Sequence, residues 1–366
     1  MTDKHGETGL KFNKDFALKS YTTTGFSAEC AYFVRVSNKF DLPAVMQFCD
    51  ENKLKFMVIG DGSNIVLGSE YINRVMIRLS FSEIEITEKT ESYVIVRSQA
   101  GADWNAFVNF TIEEEFWGLE NLVLIPGTVG AAPVQNIGAF GQDVAAVIDS
   151  VHVYDTLTNT FKDISNNDCG FSYRSSIFNK EGPVSRYIIC SVDFKLSLDP
   201  RPILARREFA NLRNASRDSD LQNAIRETVI KYRTNRINLP DDRVYGSAGT
   251  FFRTAIIRSN KEYLSVLVKT LFNVGLVAAA AIVFFSYKYR NSEGFKIPSK
   301  LLIKFCGLAS TSAGSVALLK TNPAVLVTDR NENPSVKDLN FVISEVIINV
   351  ERKTGVEIPI EPIVLV

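Results

Sequence analysis

The sequence predicts an α+β fold with mixed and antiparallel sheets. Three observations carry the prediction. Residues 75–100 alternate apolar and polar side chains, as in VMIRLSFSEIEITEK and SYVIVRSQAG, and Arg186–Ser197 does so again; period two marks half-buried antiparallel strand. Lys55–Ile59 is instead an apolar run that opens into Gly60-Asp61-Gly62-Ser63-Asn64, as strands of α/β units do where they meet a ligand. Between these patterns lie segments of helical spacing, so the sheet is mixed rather than doubly wound.

Composition bounds the rest. At 366 residues, two or three domains are expected. Hydrophobic residues make up 46% and charged ones 22%, the balance of an ordinary globular protein. A net charge of zero argues against nucleic acid as a partner. The five cysteines form no CxxC pair, which fits free thiols better than a disulfide framework. Only His5 and His152 are present, so neither a histidine-rich metal site nor a histidine base is expected, and no metal is assigned. The start, MTDKHGETGLKFNKDF, has no apolar segment of the secretory kind, and a cytoplasmic protein is expected. Leu271–Phe285 is apolar but holds 15 residues, short of the ~20 that cross a bilayer. It reads as a buried or protein-contact helix.

Taken in order, Ala31–Val36 reads as a strand and Asp41–Cys49 as a helix with an acidic start and proline in its first turn. Asp103 caps a helix running to about Glu115. Gly118–Gly141, GLENLVLIPGTVGAAPVQNIGAFG, comes next, with five glycines, two prolines and Glu120 as its single ionisable group. Glycines there permit backbone angles and close approaches that a Cβ forbids, so main-chain amides can press against an anion; the alternative is a plain loop between strands. Strands resume at Val151–Asp155 and Thr160–Asp163. After Leu198-Asp199-Pro200-Arg201-Pro202 the composition shifts: residues 201–243 carry ten Arg or Lys against six Asp or Glu. That is either a solvated helix face or a pocket for a phosphorylated ligand. The tail reads as a helix from Asn340 to about Arg352 and a strand over Ile358–Val366.

Five separated motifs occur in one order: Thr22-Thr23-Thr24-Gly25, Gly60–Asn64, Gly118–Gly141, Tyr173-Arg174-Ser175-Ser176-Ile177-Phe178 and Ala248-Gly249-Thr250-Phe251-Phe252. In this arrangement the chain resembles the UDP-N-acetylenolpyruvoylglucosamine reductases, in their longer form, from about residue 18 to 366. The resemblance implies a two-part FAD-binding module, residues 1–85 and 86–198, and a third α+β substrate domain, residues 199–366. It implies FAD as cofactor, NADPH as electron donor and a nucleotide sugar as substrate. On the flavin side it assigns Gly60, Asp61, Gly62, Ser63 and Asn64, then Ile125, Pro126, Gly127, Thr128, Gly130, Ala131, Gln135, Asn136, Gly138 and Ala139. Arg174 falls at the family's catalytic arginine.

On the substrate side the pattern is altered. The family's proton-donating serine is Thr250, which keeps a hydroxyl but on a β-branched side chain. The KNP after it is broken by Thr254 and Ala255, the lysine before LPD is Asn238, a substrate-closing tyrosine falls at Arg206 or Arg207, and a glutamine near the last helix falls at Pro323. The family's second, catalytic glutamate of EPEV is Ile363. Glu361 lies on the same strand face two residues back, and a slip of two would present it. Tyr173, Arg206, Arg207, Arg236, Asn238 and Arg253 are the candidate substrate contacts; Arg174, Thr250 and Glu361 are the candidate catalytic residues. These replacements lead us to expect a flavin oxidoreductase diverged in substrate or reaction. The alternatives are a genuine UDP-N-acetylmuramate dehydrogenase working through Thr250, and a flavin-binding protein without turnover that meets a partner through Leu271–Phe285.

Overall fold

The computed structural model describes residues 9–179, 186–214, 219–236, 244–290 and 294–366. They divide into two compact units. The first draws on Met1–Phe16, Cys30–Asp61 and Asn73–Asn238, the second on Ala17–Glu29, Gly62–Ile72 and Leu239–Val366. Both mix helices with mixed or antiparallel sheets, the expected α+β class.

In the first unit a four-stranded sheet orders Phe12–Ala17, Glu29–Val36, Tyr71–Leu79 and Lys55–Val58, the last two parallel. Helix α1, Leu42–Glu51, buries Leu42, Val45, Met46 and Cys49, the spacing of one helical face. A second sheet orders Thr160–Ser165, Ile148–Asp155, Tyr187–Ser197, Tyr93–Gln99 and Ile84–Lys89, antiparallel throughout. Helix α2, Trp104–Glu113, covers it. Its cap is as expected, since the Asp103 carboxylate accepts from the Ala106 amide. Trp104, Phe107 and Phe194 are fully buried together, with Phe107 and Phe194 centroids 4.7 Å apart. Helix α3, Ser219–Arg236, sends Leu221, Ile225 and Val229 into this same core, and Gln222 donates to the Phe116 carbonyl at 2.8 Å. The expected substrate segment thus begins with a helix that belongs to the first unit.

The second unit holds an antiparallel sheet ordered Tyr245–Thr250, Val325–Asp329, Val316–Leu318 and Ser312–Ala313. It also holds a ribbon of Ala255–Ile257 with Phe295–Ile297, and a parallel pair of Ile65–Leu67 with Ile363–Leu365. Its helices are α4 (Asn260–Asn273), α5 (Leu276–Lys288), α6 (Ser299–Phe305) and α7 (Val336–Thr354). Two expectations are corrected here. The apolar run Leu271–Phe285 is not one helix, because Gly275, at φ +121°, separates α4 from α5. The terminal strand spans three residues rather than Ile358–Val366, because Pro359 and Pro362 have no amide to offer a ladder. Among the described residues no helix is long and apolar enough to cross a membrane.

Across the five-stranded sheet runs a file of charges. Arg97 Nε and Nη2 donate to the two Asp193 oxygens at 2.7 and 2.8 Å, and His152 meets Asp163 at 2.5 Å and Asp193 at 3.0 Å. Burial opposes protonation of His152, but hydrogen bonds and charge from Asp193 and Asp163 outweigh it, so its pKa is raised. Arg97 and His152 hold Asp193 well below the usual carboxylate range, against its burial. A raised pKa means stabilisation that is full below the unfolded value of about 6.5 and lost as pH rises through the folded value. His152→Gln is therefore expected to destabilise most at mildly acidic pH. Urea unfolding of both proteins across the pH range tests this; a penalty constant with pH would refute it.

Candidate active site

The Gly118–Gly141 stretch is held in the first unit as a run of turns, with 3-10 turns at Glu120–Leu122 and Val129–Ala131 and a short strand at Gly138–Ala139. The Trp104 amide donates to the Gly127 carbonyl at 3.0 Å, the Val129 amide to Ala102 at 2.9 Å and the Gly130 amide to Ala100 at 2.9 Å. Trp104 Nε1 donates to the Leu122 carbonyl, and the Leu124 amide to Asn105 Oδ1, each at 2.9 Å. The start of α2 thus fixes the stretch from both its backbone and its side chains. A Cβ on Gly130 would lie 2.6 Å from the Ala100 Cβ, and one on Gly60 would lie 3.0 Å from Thr128 Oγ1. Gly60 and Thr128, far apart in sequence, therefore meet. Leu124, Asn136 and Phe140 take positive φ angles without being glycine, the kind of backbone strain that gathers at binding sites.

The arginine motif docks onto this stretch. Asn136 Nδ2 donates to the Ser172 carbonyl at 3.2 Å, Ser176 Oγ to Val134 at 2.7 Å, and Arg174 Nη2 to Gly138 at 3.2 Å. Arg174 itself has φ +54° and sits in a tight turn closed by the Ser172 and Ser175 bridge. Its guanidinium lies over the Tyr173 ring, 5.7 Å from the centroid. Gln135, Asn136, Gly138, Tyr173 and Arg174 are thus one local assembly. The Cγ of Arg206 would be 3.4 Å from a Cβ on Gly141, which puts Arg206 and exposed Arg207 beside the end of the glycine stretch in the first unit. Asn238 and the side chain of Arg236 lie outside the described residues.

In the second unit the chain's end gathers the remaining candidates. The Glu361 amide donates to the Phe251 carbonyl and the Ile363 amide to the Asn64 carbonyl, each at 2.9 Å, and the Arg253 amide donates to Pro359 at 2.8 Å. Phe252 bridges Ile360. Ile363 then pairs with Ile65 and Leu365 with Leu67. This register keeps Ile363 half-buried against Ile65, and the Glu361 amide at the carbonyl of Phe251, the residue after Thr250. Thr250 is exposed and follows a bulge. Ser247 faces Val327 but Thr250 faces Val325, so one residue is extra, and Gly249 at φ +74° absorbs it. Gly62, at φ +63°, presses on Tyr21 and Thr22, where a Cβ would lie 2.8 Å from the Thr22 Cα. The Thr22–Gly25 motif ties distant strands together. Thr23 Oγ1 donates to the Ser247 carbonyl at 2.6 Å, and Arg330 and Thr328 bond to the carbonyls of Thr23 and Thr24. Arg330 and Thr328 escape sequence reading, since only the fold brings them to residues near the N-terminus.

The donor set fits a dinucleotide. Each acid in the flavin motifs is accounted for without presenting charge. Asp61 is paired with Arg78 at 2.8 Å, and Glu120 is wholly buried with its pKa pushed up by that burial. The other groups are backbone, amides, small side chains and the Arg174 guanidinium, suited to diphosphate oxygens and ring carbonyls. Gly130→Ala should cost about 1–3 kcal/mol, because its neighbour is Ala100 backbone that cannot rotate away. Gly60→Ala should cost less, since it meets a hydroxyl tip. Denaturant midpoints and the flavin absorbance of the purified variants check the order; equal penalties would contradict it.

Comparison with known proteins agrees with this geometry. A family model described as an FAD binding domain matches residues 30–160. The UDP-N-acetylenolpyruvoylglucosamine reductase of Bdellovibrio bacteriovorus is 34% identical over 357 residues, 97% of this chain and 99% of its own. That of Polynucleobacter asymbioticus is 32% identical over 358 residues, 97% of each chain. In fold the chain is similar to the crystal structure of UDP-N-acetylenolpyruvylglucosamine reductase from Thermus caldophilus, with TM-score 0.59 and 19% identity over 95% of this chain and 97% of that one. FAD is thus the cofactor, and the chain belongs to the UDP-N-acetylenolpyruvoylglucosamine reductase family of FAD-dependent oxidoreductases.

Proposed function

We propose that the chain carries out the reduction for which its relatives are named, converting an enolpyruvyl group on a UDP-linked amino sugar to its saturated form, with NADPH as donor. Bound FAD supplies the hydride relay from NADPH to the substrate double bond. The residues of this chain do the rest. Thr250 donates a proton to the carbon next to the carboxylate, Arg174 stabilises the negative charge that develops there, and Glu361 as the protonated acid donates a hydrogen bond to it. Gly60–Asn64 and Ile125–Ala139 hold the dinucleotide; Tyr173, Arg206, Arg207, Arg236, Asn238 and Arg253 hold the anionic sugar nucleotide. In this reading residues 1–85 and 86–198 carry the flavin and 199–366 the substrate, as a cytoplasmic enzyme supplying cell-wall precursor.

The observation that carries the reading is the bond from the Glu361 amide to the Phe251 carbonyl. It brings the backbone of Glu361 to the residue that follows Thr250, which supports a role for Glu361 where the family's glutamate position is Ile363. A second reading, a reductase diverged in substrate, draws on Ile363, which can neither transfer a proton nor carry charge, and on Thr254 and Ala255, which replace the family's asparagine and proline.

NADPH oxidation on adding the enolpyruvyl nucleotide sugar decides between them. Thr250→Ala should lower kcat by roughly 10²–10⁴ while Thr250→Ser stays within about tenfold of the parent. A flavin-loaded protein that oxidises NADPH with other sugar nucleotides but not this one would favour divergence. An alanine variant of undiminished rate would remove Thr250 from the mechanism.

A further inference from the structure

Helices α4 and α5 bury one side each and leave a second, apolar side uncovered. Leu264, Val268 and Phe272 recur at i, i+4 and i+8 along α4, opposite the buried Val266 and Thr270. On α5, Leu276, Phe284 and Tyr287 form the outer stripe, opposite Ala278, Ala279, Ile282 and Ser286. Phe272 is 82% exposed, Leu276 72%, Tyr287 71%, Leu264 62% and Phe284 60%. Helix α5 lies on the second strand of the ribbon of Ala255–Ile257 and Phe295–Ile297, α4 on its first strand and, more extensively, on α7, and the two helices pack on each other. Tyr263 Oη meets Ser286 Oγ at 2.6 Å and stacks on Phe295, locking that arrangement. The sides turned away from the ribbon therefore form one outer surface. Scaled from ~150–250 Å² per whole aromatic side chain, its six large apolar groups expose on the order of 700 Å², above the ~300–600 Å² of the largest patch on an ordinary monomer.

Charge selects the occupant. Residues 260–290 contain Lys261, Lys269, Lys288 and Arg290 against Glu262 alone. Lys261 and Lys288 lie at the open end of the hairpin, Lys288 over the outward Phe284 ring, while Arg290 sits over the Phe295 ring of the ribbon and Lys269 lies against Gly355 at the end of α7. A twofold contact with the two hairpins in the same direction would bring Lys261 and Lys288 against their copies, a costly match, and the opposite direction offers them no acid in return, since Glu262 lies at the same end. An anionic lipid surface meets them with opposite charge, while the apolar stripe and its aromatic groups enter the headgroup boundary. At 13 residues, α5 extends about 20 Å, enough to lie in that boundary.

We propose that the outer surface of the α4–α5 hairpin seats the enzyme reversibly on an anionic membrane surface. Full-length, flavin-loaded protein is sedimented with vesicles of phosphatidylcholine alone or with added phosphatidylglycerol. Binding is expected to the anionic vesicles, to fall several-fold in high salt as charges are screened, and to drop at least tenfold in the Phe272→Ser/Phe284→Ser double variant. Because both side chains are exposed, that variant should keep the parent's flavin content and unfolding midpoint, so lost binding would not reflect lost folding. Failure to bind either vesicle overturns the proposal, as does equal binding to both. So does a dimer seen by sedimentation equilibrium without lipid and abolished by the same variant, which would assign the surface to a second copy.

Discussion

Two backbone amides near the C-terminus, those of Glu361 and Ile363, bond to the carbonyls of Phe251 and Asn64, which lie far apart in the chain. Prolines at 359 and 362 decide which amides are available: Pro359 can only accept, and does so from Arg253. Beyond Pro362, three residues pair in parallel with Ile65–Leu67, whose side chains are buried. The terminal segment is thus a clasp between the Gly62–Asn64 loop and the Thr250–Arg253 turn. The register that brings the Glu361 backbone to the residue after Thr250 rests on three ladder residues, and a shift of one would turn the strand's buried face outward.

In the first unit the corresponding constraint is the docking of a glycine-rich stretch onto the start of α2. The helix supplies both its first amide and the Trp104 and Asn105 side chains as anchors. These rigid attachments let the intervening backbone hold unusual angles at Leu124, Asn136 and Phe140. The cost of that strain falls to the surrounding hydrogen bonds, and it yields a surface of amides free of side-chain bulk. Pairing Asp61 with Arg78 and burying Glu120 completes the preparation, because an uncompensated carboxylate would repel a diphosphate.

Much of this was legible in the residues. Helices α1 and α2 follow from spacing and from the capping Asp103, and the alternating runs from Ile84 onward became strands of the five-stranded sheet, whereas Val75–Leu79, expected antiparallel, joined the four-stranded sheet in parallel with Lys55–Val58. The glycine stretch and the arginine turn proved to be one assembly, as their shared resemblance suggested. The features that could not be read depend on contacts distant in sequence. Nothing local to α3 says that Leu221 and Ile225 pack with Phe116 rather than with the strands C-terminal to the helix. The break at Gly275 is hidden because apolar residues continue on both sides of it, and the bulge before Thr250 exists only in relation to the strand it pairs with. Thr328 and Arg330 show no motif at all.

The clasp has a consequence for how the protein is made. Synthesis runs from the N-terminus, so the first unit is complete once α3 has emerged, whereas the second waits for Leu365. At ~5–20 residues per second the interval is on the order of ten seconds. Through it Ile65–Leu67, apolar and meant to be paired, is a strand without its neighbour, the situation in which chains join the wrong partner. A newborn chain therefore carries a nearly finished first unit and an open seam, which closes only when Ile363–Leu365 pair with Ile65–Leu67.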